Sequence, residues 1–233
     1  MSEPNDPAGA GGGEAQDRAA TARVGDDARA STAAEERLAA VSRGGAEGFG
    51  VVGVGASAGG VEALDAFFAG LQQTGMAFVV VQHMATDKQS HLPEILSRVT
   101  RMPVVQATDG LAIEPDHVYV VPPGSNLALF EGTLHLIELP SGGTHSSVLP
   151  IDFFFQSLAA ECGPRCIGVI LSGTGVDGMR GLQHIREAGG LTFAQDPSTA
   201  RFPGMPSAAA AGADAVLSPE GIGHELIRMS RHP

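Results

Sequence analysis

Three side chains that could carry out acyl transfer follow three separate apolar segments of this sequence. Ser57 lies in a glycine-rich run after the first segment, His83 directly follows the second, and Asp177 lies in another glycine-rich run further along. A hydroxyl, an imidazole and a carboxylate are the groups of a serine nucleophile, its general base and the acid that orients the base. The spacing therefore predicts a hydrolase site, provided that the fold brings these segment ends together.

Each residue has a defined role in such a mechanism. The glycines around Ser57 allow a sharp turn from strand to helix and leave the hydroxyl uncrowded. An imidazole titrates near neutral pH, so His83 can take the serine proton, and Asp177 would fix the tautomer of the ring. We predict that the backbone N–H groups of Ala58 and Thr174 form the oxyanion hole, where one donor contributes about 3–4 kcal/mol to the transition state.

Other interpretations of these residues exist. The glycine-rich run also matches the dinucleotide fingerprint G-x-G-x-x-G/A at Gly53, Gly55 and Ala58, but the second segment ends in Gln82-His83 and not in the acidic residue that would hold a ribose. The run matches the G-x-S-x-G elbow as well, although α/β-hydrolases order their triad Ser, Asp/Glu, His. Taken alone, Asp177 is equally well interpreted as the cap of a helix that begins after it.

Composition excludes several classes of protein. The net charge of −12 over 233 residues argues against nucleic-acid binding, which relies on Lys and Arg. No apolar run approaches the roughly 20 residues of a membrane helix, and the polar N-terminus does not resemble a secretory signal. Cys162 and Cys166 have no second pair of ligands for zinc, so we interpret them as reduced thiols and expect neither metal nor cofactor. These features predict a cytoplasmic protein.

The chain divides at residue 48. Residues 1–48 are rich in Ala, Gly and charged residues and poor in large aliphatics, so we predict a flexible arm, followed by one catalytic domain over 49–233. In that domain strands alternate with helices, which predicts an α/β fold with a mainly parallel sheet, helices on both faces and an antiparallel hairpin near one edge. The predicted strands are 49–54, 77–81, 104–105, 117–121, 166–171, 191–195 and 215–217, the hairpin is 127–130 with 133–137, and the helices are 61–71, 92–99, 151–160, 178–188 and 221–229.

Four motifs together resemble the catalytic domain of CheB, the chemotaxis protein-glutamate methylesterase. They are the segments 55–60 (GASAGG), 81–84 (VQHM), 118–124 (VYVVPPG) and 169–178 (VILSGTGVDG). The resemblance implies a doubly wound parallel sheet, with Ser57 as nucleophile, His83 as base and Asp177 as its orienting carboxylate. It also implies, as substrates, methylated glutamates on chemoreceptor helices or related signalling proteins, and in some members the deamidation of glutamine.

The sequence departs from the family pattern at two of these positions. The family often has Thr where this chain has Ala58, and commonly has Met where it has Thr174, and both changes could alter rate or substrate choice. The motifs look closest to variants fused to CheR-type methyltransferases. Typical members carry a receiver domain, and residues 1–48 are too short to form one, so a separate regulator is expected. The alternative functions are a non-catalytic regulatory module with this fold and a nucleotide-dependent enzyme.

Overall fold

The computed structural model describes residues 48–83, 90–138 and 149–231. Their largest element is a seven-stranded sheet in which every neighbouring pair of strands is parallel. This confirms the predicted mainly parallel sheet. The strands, in spatial order, are β10 (Ala215–Leu217), β9 (Leu191–Gln195), β8 (Cys166–Ile170), β1 (Val51–Ala56), β2 (Ala77–Gln82), β5 (Val118–Val120) and β3 (Val104–Gln106).

Helices cover both faces of this sheet, as a doubly wound fold requires. One apolar core joins the sheet to α1 (Gly60–Phe68), α2 (Leu92–Leu96) and α6 (Pro219–Arg231). A second core, on the opposite face, joins it to α3 (Pro150–Cys162), α4 (Met179–Glu187) and α5 (Gly204–Ala210). Short 3-10 turns lie at Gly163–Arg165 and Pro197–Thr199. Among the helices that the structure describes, none has the length and apolar character needed to span a membrane.

The predicted antiparallel hairpin is present and belongs to a small sheet of its own. Strands β6 (Ser125–Phe130) and β7 (Thr133–Glu138) pair with each other, and the short β4 (Leu111–Ala112) adds to β7. Two side chains of α3 hold this sheet, because Ser157 Oγ accepts a hydrogen bond from a β6 amide at 3.1 Å and a Glu161 carboxylate oxygen accepts one from the turn at 3.0 Å. Helix α3 therefore lies between the two sheets.

Strand β1 shows why α3 can approach the main sheet so closely. All six residues of β1 are buried. A side chain at Gly53 would lie 2.7 Å from the Phe155 ring, and one at Gly55 would lie 2.5 Å from Ile151. The glycines that match a dinucleotide fingerprint thus lie inside a strand, and their missing side chains make room for α3. This packing explains Gly53 and Gly55 without a nucleotide.

The strand order places a crevice between β1 and β8. From β1 the chain builds β2, β5 and β3 on one side, and it later returns to build β8, β9 and β10 on the other. Ligands of doubly wound sheets bind at such a switch in strand order, beyond the carboxyl ends of the strands. Ser57 follows β1 and Asp177 follows β8, so both lie at the edge where this rule places a ligand.

Several sequence-based predictions fall outside the described residues. The arm predicted for residues 1–48 does so except at Gly48 and stays a prediction, and Met84, His145 and His232 lie outside as well. The remaining histidines predicted to be surface or packing residues are partly or fully exposed: His91, His117, His135, His184 and His224. Strand β4 and helix α5 were not predicted, because each is short and lacks a periodic apolar pattern.

The two cysteines are buried free thiols at the end of α3 and the start of β8. Cys162 is 6% exposed and Cys166 is fully buried, and the Cys166 thiol donates to the carbonyl of Gly163 at 2.9 Å. Burial raises the pKa of Cys162 to about 11 and that of Cys166 to about 12. The folded protein therefore keeps both protons at a pH where the unfolded chain begins to lose them.

We predict that these thiols make the fold less stable in alkaline solution. The stability is fully present below the ordinary thiol pKa and is lost as pH rises toward the raised values, because only the unfolded state ionises in that window. Between pH 9 and 11 each thiol should lower the free energy of unfolding by about 1.4 kcal/mol per pH unit. Urea denaturation across this range measures the slope. A Cys162→Ala, Cys166→Ala variant with the same slope as the unmodified chain would contradict the prediction.

Candidate active site

Ser57 lies in the tight turn that joins β1 to α1. Its backbone N–H donates to the carbonyl of Ser172 at 2.9 Å, and its own carbonyl accepts from Gly60 at 2.8 Å. Gly59 has a φ of 68°, and a side chain there would lie 2.8 Å from Ser172 Oγ. Glycine is therefore required at this position both by backbone conformation and by space. The turn leaves the Ser57 side chain half-buried at the carboxyl edge of the sheet.

The three side chains predicted to act together lie in one hydrogen-bonded row. His83 Nε2 is 2.6 Å from Asp177 Oδ2, and His83 Nδ1 is 3.2 Å from Ser57 Oγ. A carboxylate can only accept, so Nε2 carries the hydrogen, and in the neutral ring Nδ1 accepts from the Ser57 hydroxyl. The His83 side chain is 30% exposed, whereas that of Asp177 is 2% exposed. The ring thus lies between a buried acid and a solvent-accessible hydroxyl.

Asp177 is held by the first turn of α3. Its Oδ2 accepts from the N–H of Ile151 at 3.0 Å, and its Oδ1 accepts from the N–H of Asp152 at 2.9 Å. The first N–H groups of a helix have no partner within the helix and favour negative charge. The alternative interpretation of Asp177, as the cap of the helix that follows it, does not hold, since Gly178 is the N-cap of α4 and the Asp177 carboxylate bonds to α3. Asp177 instead caps a helix that begins 27 residues earlier in the sequence.

Asp152 makes the reciprocal contact. Its carboxylate accepts from the N–H of Gly181, in the first turn of α4, at 2.7 Å. A side chain at Gly181 would lie 2.6 Å from Phe155 and 3.1 Å from the Asp152 backbone, so the two helices approach too closely for any other residue. Desolvation by burial raises the pKa of Asp152, and the nearby Asp177 carboxylate raises it further. The start of α3 therefore binds the carboxylate of Asp177, which precedes α4, and the start of α4 binds the carboxylate of Asp152, which lies on α3.

A second network supports the turn that carries Ser57. Ser172 is buried, and its Oγ donates to the carbonyl of Ala58 at 2.9 Å and accepts from the N–H of Phe202 at 3.1 Å. Its own N–H donates to the side chain of Gln195 at 2.8 Å. Ser172, Gln195 and Asp152 were not among the predicted site residues. In the sequence, the polar Gln195 at the end of β9 was a signal for this network.

The two predicted oxyanion donors both belong to segments next to Ser57. Ala58 follows it directly, and Thr174 follows Gly173, whose added side chain would lie 2.9 Å from Ser57 Cβ. Within the described ranges, no protein group accepts a hydrogen bond from the N–H of Ala58 or Thr174. Both donors therefore remain available for a ligand atom beside the hydroxyl. Their role as an oxyanion hole stays a prediction.

A small recess opens beside His83. It has a volume of about 190 Å³ and lies between the end of β2 and the segment that joins β5 to β6; Gln82, His83, Pro123, Asn126 and Pro150 are among its lining residues. Asn126 is 4% exposed, and within the described residues its side-chain oxygen accepts no hydrogen bond. A recess of this size admits one side chain beside the imidazole. In the part of the chain that the structure describes, no group of three or more potential ligands is arranged to hold a metal.

A parallel sheet with a Ser–His–Asp row at its carboxyl edge has the arrangement of a serine hydrolase, and comparison with known proteins shows which family this chain comes from. The family model described as CheB methylesterase matches residues 52–226. The crystal structure of the Thermotoga maritima CheB methylesterase catalytic domain matches 78% of this chain and all of its own, with a TM-score of 0.70 and 30% identity. This chain belongs to the CheB methylesterase family.

Its curated relatives are longer than the matched region. A protein-glutamate methylesterase/protein-glutamine glutaminase from Xanthomonas campestris is 35% identical over 184 residues, which are 77% of this chain and 51% of that protein. Another, from Anaeromyxobacter dehalogenans, is 41% identical over 76% of this chain and 52% of its own length. A 104.1 kDa protein of Rhodobacter capsulatus is 45% identical over 57% of this chain, but only 14% of that protein is covered. The chain thus spans about half the length of the methylesterases that it matches.

We predict that Asp152 positions Asp177 through the paired helix starts. Asp152→Ala leaves the N–H of Gly181 without its acceptor, which should lower the free energy of unfolding by about 1–3 kcal/mol. It should also lower kcat for p-nitrophenyl acetate roughly tenfold, because Asp177 loses its alignment with His83. Asp152→Asn retains an acceptor oxygen and should keep most of both quantities. Equal losses in the two variants, by denaturation and steady-state kinetics, would contradict this role.

Ser172 should influence turnover more than binding. Ser172→Ala removes the hydroxyl that links the Ala58 carbonyl to the Phe202 amide, so the nucleophile turn should lose its fixed position. We expect kcat for p-nitrophenyl acetate to fall roughly 10- to 100-fold, with KM for this ester changed by less than about twofold. Ser207→Ala is the matched control, because Ser207 is exposed on α5. If the two variants have the same kcat, Ser172 does not position the nucleophile.

Proposed function

We propose that this chain is a protein-glutamate methylesterase, a carboxylic ester hydrolase that acts on glutamate methyl esters in chemoreceptors or related signalling proteins. The observation that carries the proposal is the hydrogen-bonded row of Ser57, His83 and Asp177, with distances of 3.2 and 2.6 Å, in a chain of the CheB methylesterase family. The names of its curated relatives describe the same chemistry. No metal or cofactor takes part in the proposed mechanism.

In the first step Ser57 Oγ attacks the ester carbonyl carbon while its proton passes to His83 Nδ1. The carbonyl oxygen becomes negatively charged, and the N–H groups of Ala58 and Thr174 would stabilise it. Asp177 accepts from Nε2–H and stabilises the imidazolium that forms. The intermediate then collapses, the C–O bond to the methoxy group breaks, and His83 returns the proton so that methanol leaves.

In the second step water hydrolyses the glutamyl–serine ester. His83 takes one proton from the water as the oxygen attacks the same carbonyl carbon, and it then gives that proton to Ser57 Oγ as the ester bond breaks. The products are the free hydroxyl of Ser57 and a glutamic acid side chain, which loses its remaining proton to solvent and becomes a carboxylate. A glutamine side chain would follow the same route with ammonia as leaving group, which is the second activity named for the curated relatives.

The setting of this activity is part of the proposal. The substrates would be methylated helices of receptors or signalling proteins, with a separate protein regulating access to the site. The two free thiols support a cytoplasmic location, because a reducing compartment keeps cysteines in this form. The half-buried Ser57 and the small recess beside His83 support a substrate that offers a single side chain from a larger protein surface.

Methanol release tests the proposal directly. The full chain should release methanol from a chemoreceptor cytoplasmic domain carrying radiolabelled methyl esters, and Ser57→Ala should lower kcat by at least about 1,000-fold through loss of the nucleophile. His83→Gln should cause a comparable loss. Ser97→Ala is the control, since Ser97 is exposed near α2. Full activity in Ser57→Ala would refute the mechanism, and an inactive unmodified chain would favour a non-catalytic regulatory module.

A further inference from the structure

A surface groove lies between α4 and the segment formed by α5 and the residues after it. Its volume is about 640 Å³. One wall is the outer face of α4, with Met179, Arg180 and Gln183, and the other wall carries the small side chains of Ala208 and Ala211. The described residues of this groove take no part in the Ser–His–Asp row. Its shape is that of a shallow channel between two helices.

The groove begins beside the active site. Helix α4 starts two residues after Asp177, and α5 starts at Gly204, where an added side chain would lie 3.1 Å from the backbone nitrogen of Gly175. Each helix leads from the carboxyl end of one strand to the start of the next. Both helices therefore run away from the carboxyl edge of the sheet, where Ser57 and Asp177 lie. The channel between them therefore extends from the loop of Thr174 and Asp177 along the flank of the sheet.

The groove carries charges of both signs, in a chain that is strongly acidic as a whole. The protein has a net charge of −12, yet the groove is lined by two arginines and one glutamate, Glu187. Arg186 donates to the carbonyl of Gly212 at 2.7 Å and lies 4.0 Å from Asp214, so its charge is balanced within the fold. Arg180 is exposed, and within the described residues it makes no ion pair. Its charge already acts on the Asp152 carboxylate, and its exposed guanidinium can also approach a partner.

Exposed apolar side chains lie at the same end of the groove. Val176 is 54% exposed, Met179 is 42% exposed and Phe202 is 36% exposed, and all three belong to segments that build the active site. Apolar side chains grouped around a site mark a surface that binds another protein. These three side chains and Arg180 would suit a partner segment that has both apolar and acidic side chains.

We propose that this groove binds an acidic helical segment of the protein substrate, next to the glutamate that is demethylated. The inference rests on the proposed function and adds the surface that would recognise the substrate. Helix α4 has nine residues and is about 13 Å long, so the groove can contact roughly two turns of a docked helix. Small side chains of that helix would pack on Ala208 and Ala211, and its carboxylates would approach Arg180.

Gln183 provides a matched pair of charge variants. It lies on the groove face of α4, one turn beyond Met179, and its amide donates to Glu187 at 2.8 Å. Gln183→Glu should raise KM for the methylated receptor domain roughly two- to fivefold, and Gln183→Lys should lower KM by a similar factor. Both effects should shrink in high salt. Neither variant should change kcat or KM for p-nitrophenyl acetate, which does not reach the groove.

The same substitutions at Gln73 are the control. Gln73 is exposed and precedes β2, so it lies at the amino edge of the sheet, opposite the active site. If the Gln183 pair gives the same KM for receptor as the Gln73 pair, the groove does not bind substrate. Ala211→Trp adds a steric test, since a large ring on the apolar wall should raise KM for receptor and leave small-ester hydrolysis unchanged.

Binding without turnover separates this proposal from the proposed function. In the Ser57→Ala background, fluorescence anisotropy would compare a labelled Glu/Ala-rich helical peptide with a Lys/Ala-rich peptide of equal length. The acidic peptide should bind more tightly, with its affinity lowered by Gln183→Glu and raised by Gln183→Lys. That result, combined with no methanol release by the unmodified chain, would refute the esterase alone. Normal methanol release with no effect of the Gln183 pair on peptide or receptor would refute the groove alone.

Discussion

The structure of the site depends on one buried carboxylate. Asp177 accepts hydrogen bonds from His83 and from two N–H groups in the first turn of α3, at Ile151 and Asp152. A carboxylate that is 3% exposed would be costly without such donors, and a helix N-terminus supplies them together with a favourable dipole. The same contact orients the imidazole and fixes where α3 begins. The same hydrogen bonds of Asp177 therefore position both α3 in the core and the ring of His83.

Helix α3 transmits this constraint to the rest of the domain. It packs on the glycines of β1, approaches α4 closely at Gly181, and holds the small antiparallel sheet through Ser157 and Glu161. Ser57 has a separate support, because its turn is bonded to Ser172 in the loop after β8. The carboxylate of Asp177 and the hydroxyl of Ser57 are thus positioned by different hydrogen-bond networks, which meet at His83. The switch in strand order between β1 and β8 brings these networks to the same edge.

The surface around the site has features of two sizes. A recess of about 190 Å³ beside His83 admits one side chain, whereas the groove of about 640 Å³ along α4 is long enough for part of a helix. Exposed apolar residues such as Val176 and Phe202 lie at the site edge. This combination differs from the deep, enclosed pocket that holds a small molecule. A shallow surface of this kind fits the protein substrate that we propose.

The sequence by itself determined the alternation of strands and helices and the positions of Ser57, His83 and Asp177 at strand ends. Apolar periodicity is a local property, and the carboxyl ends of parallel strands meet at one edge, so this much follows without coordinates. Only the tertiary structure decided which helix Asp177 caps and which groups Ser172 bonds. Those contacts join residues 25 and 114 positions apart, and no local pattern encodes them because the partners are backbone groups that every residue carries.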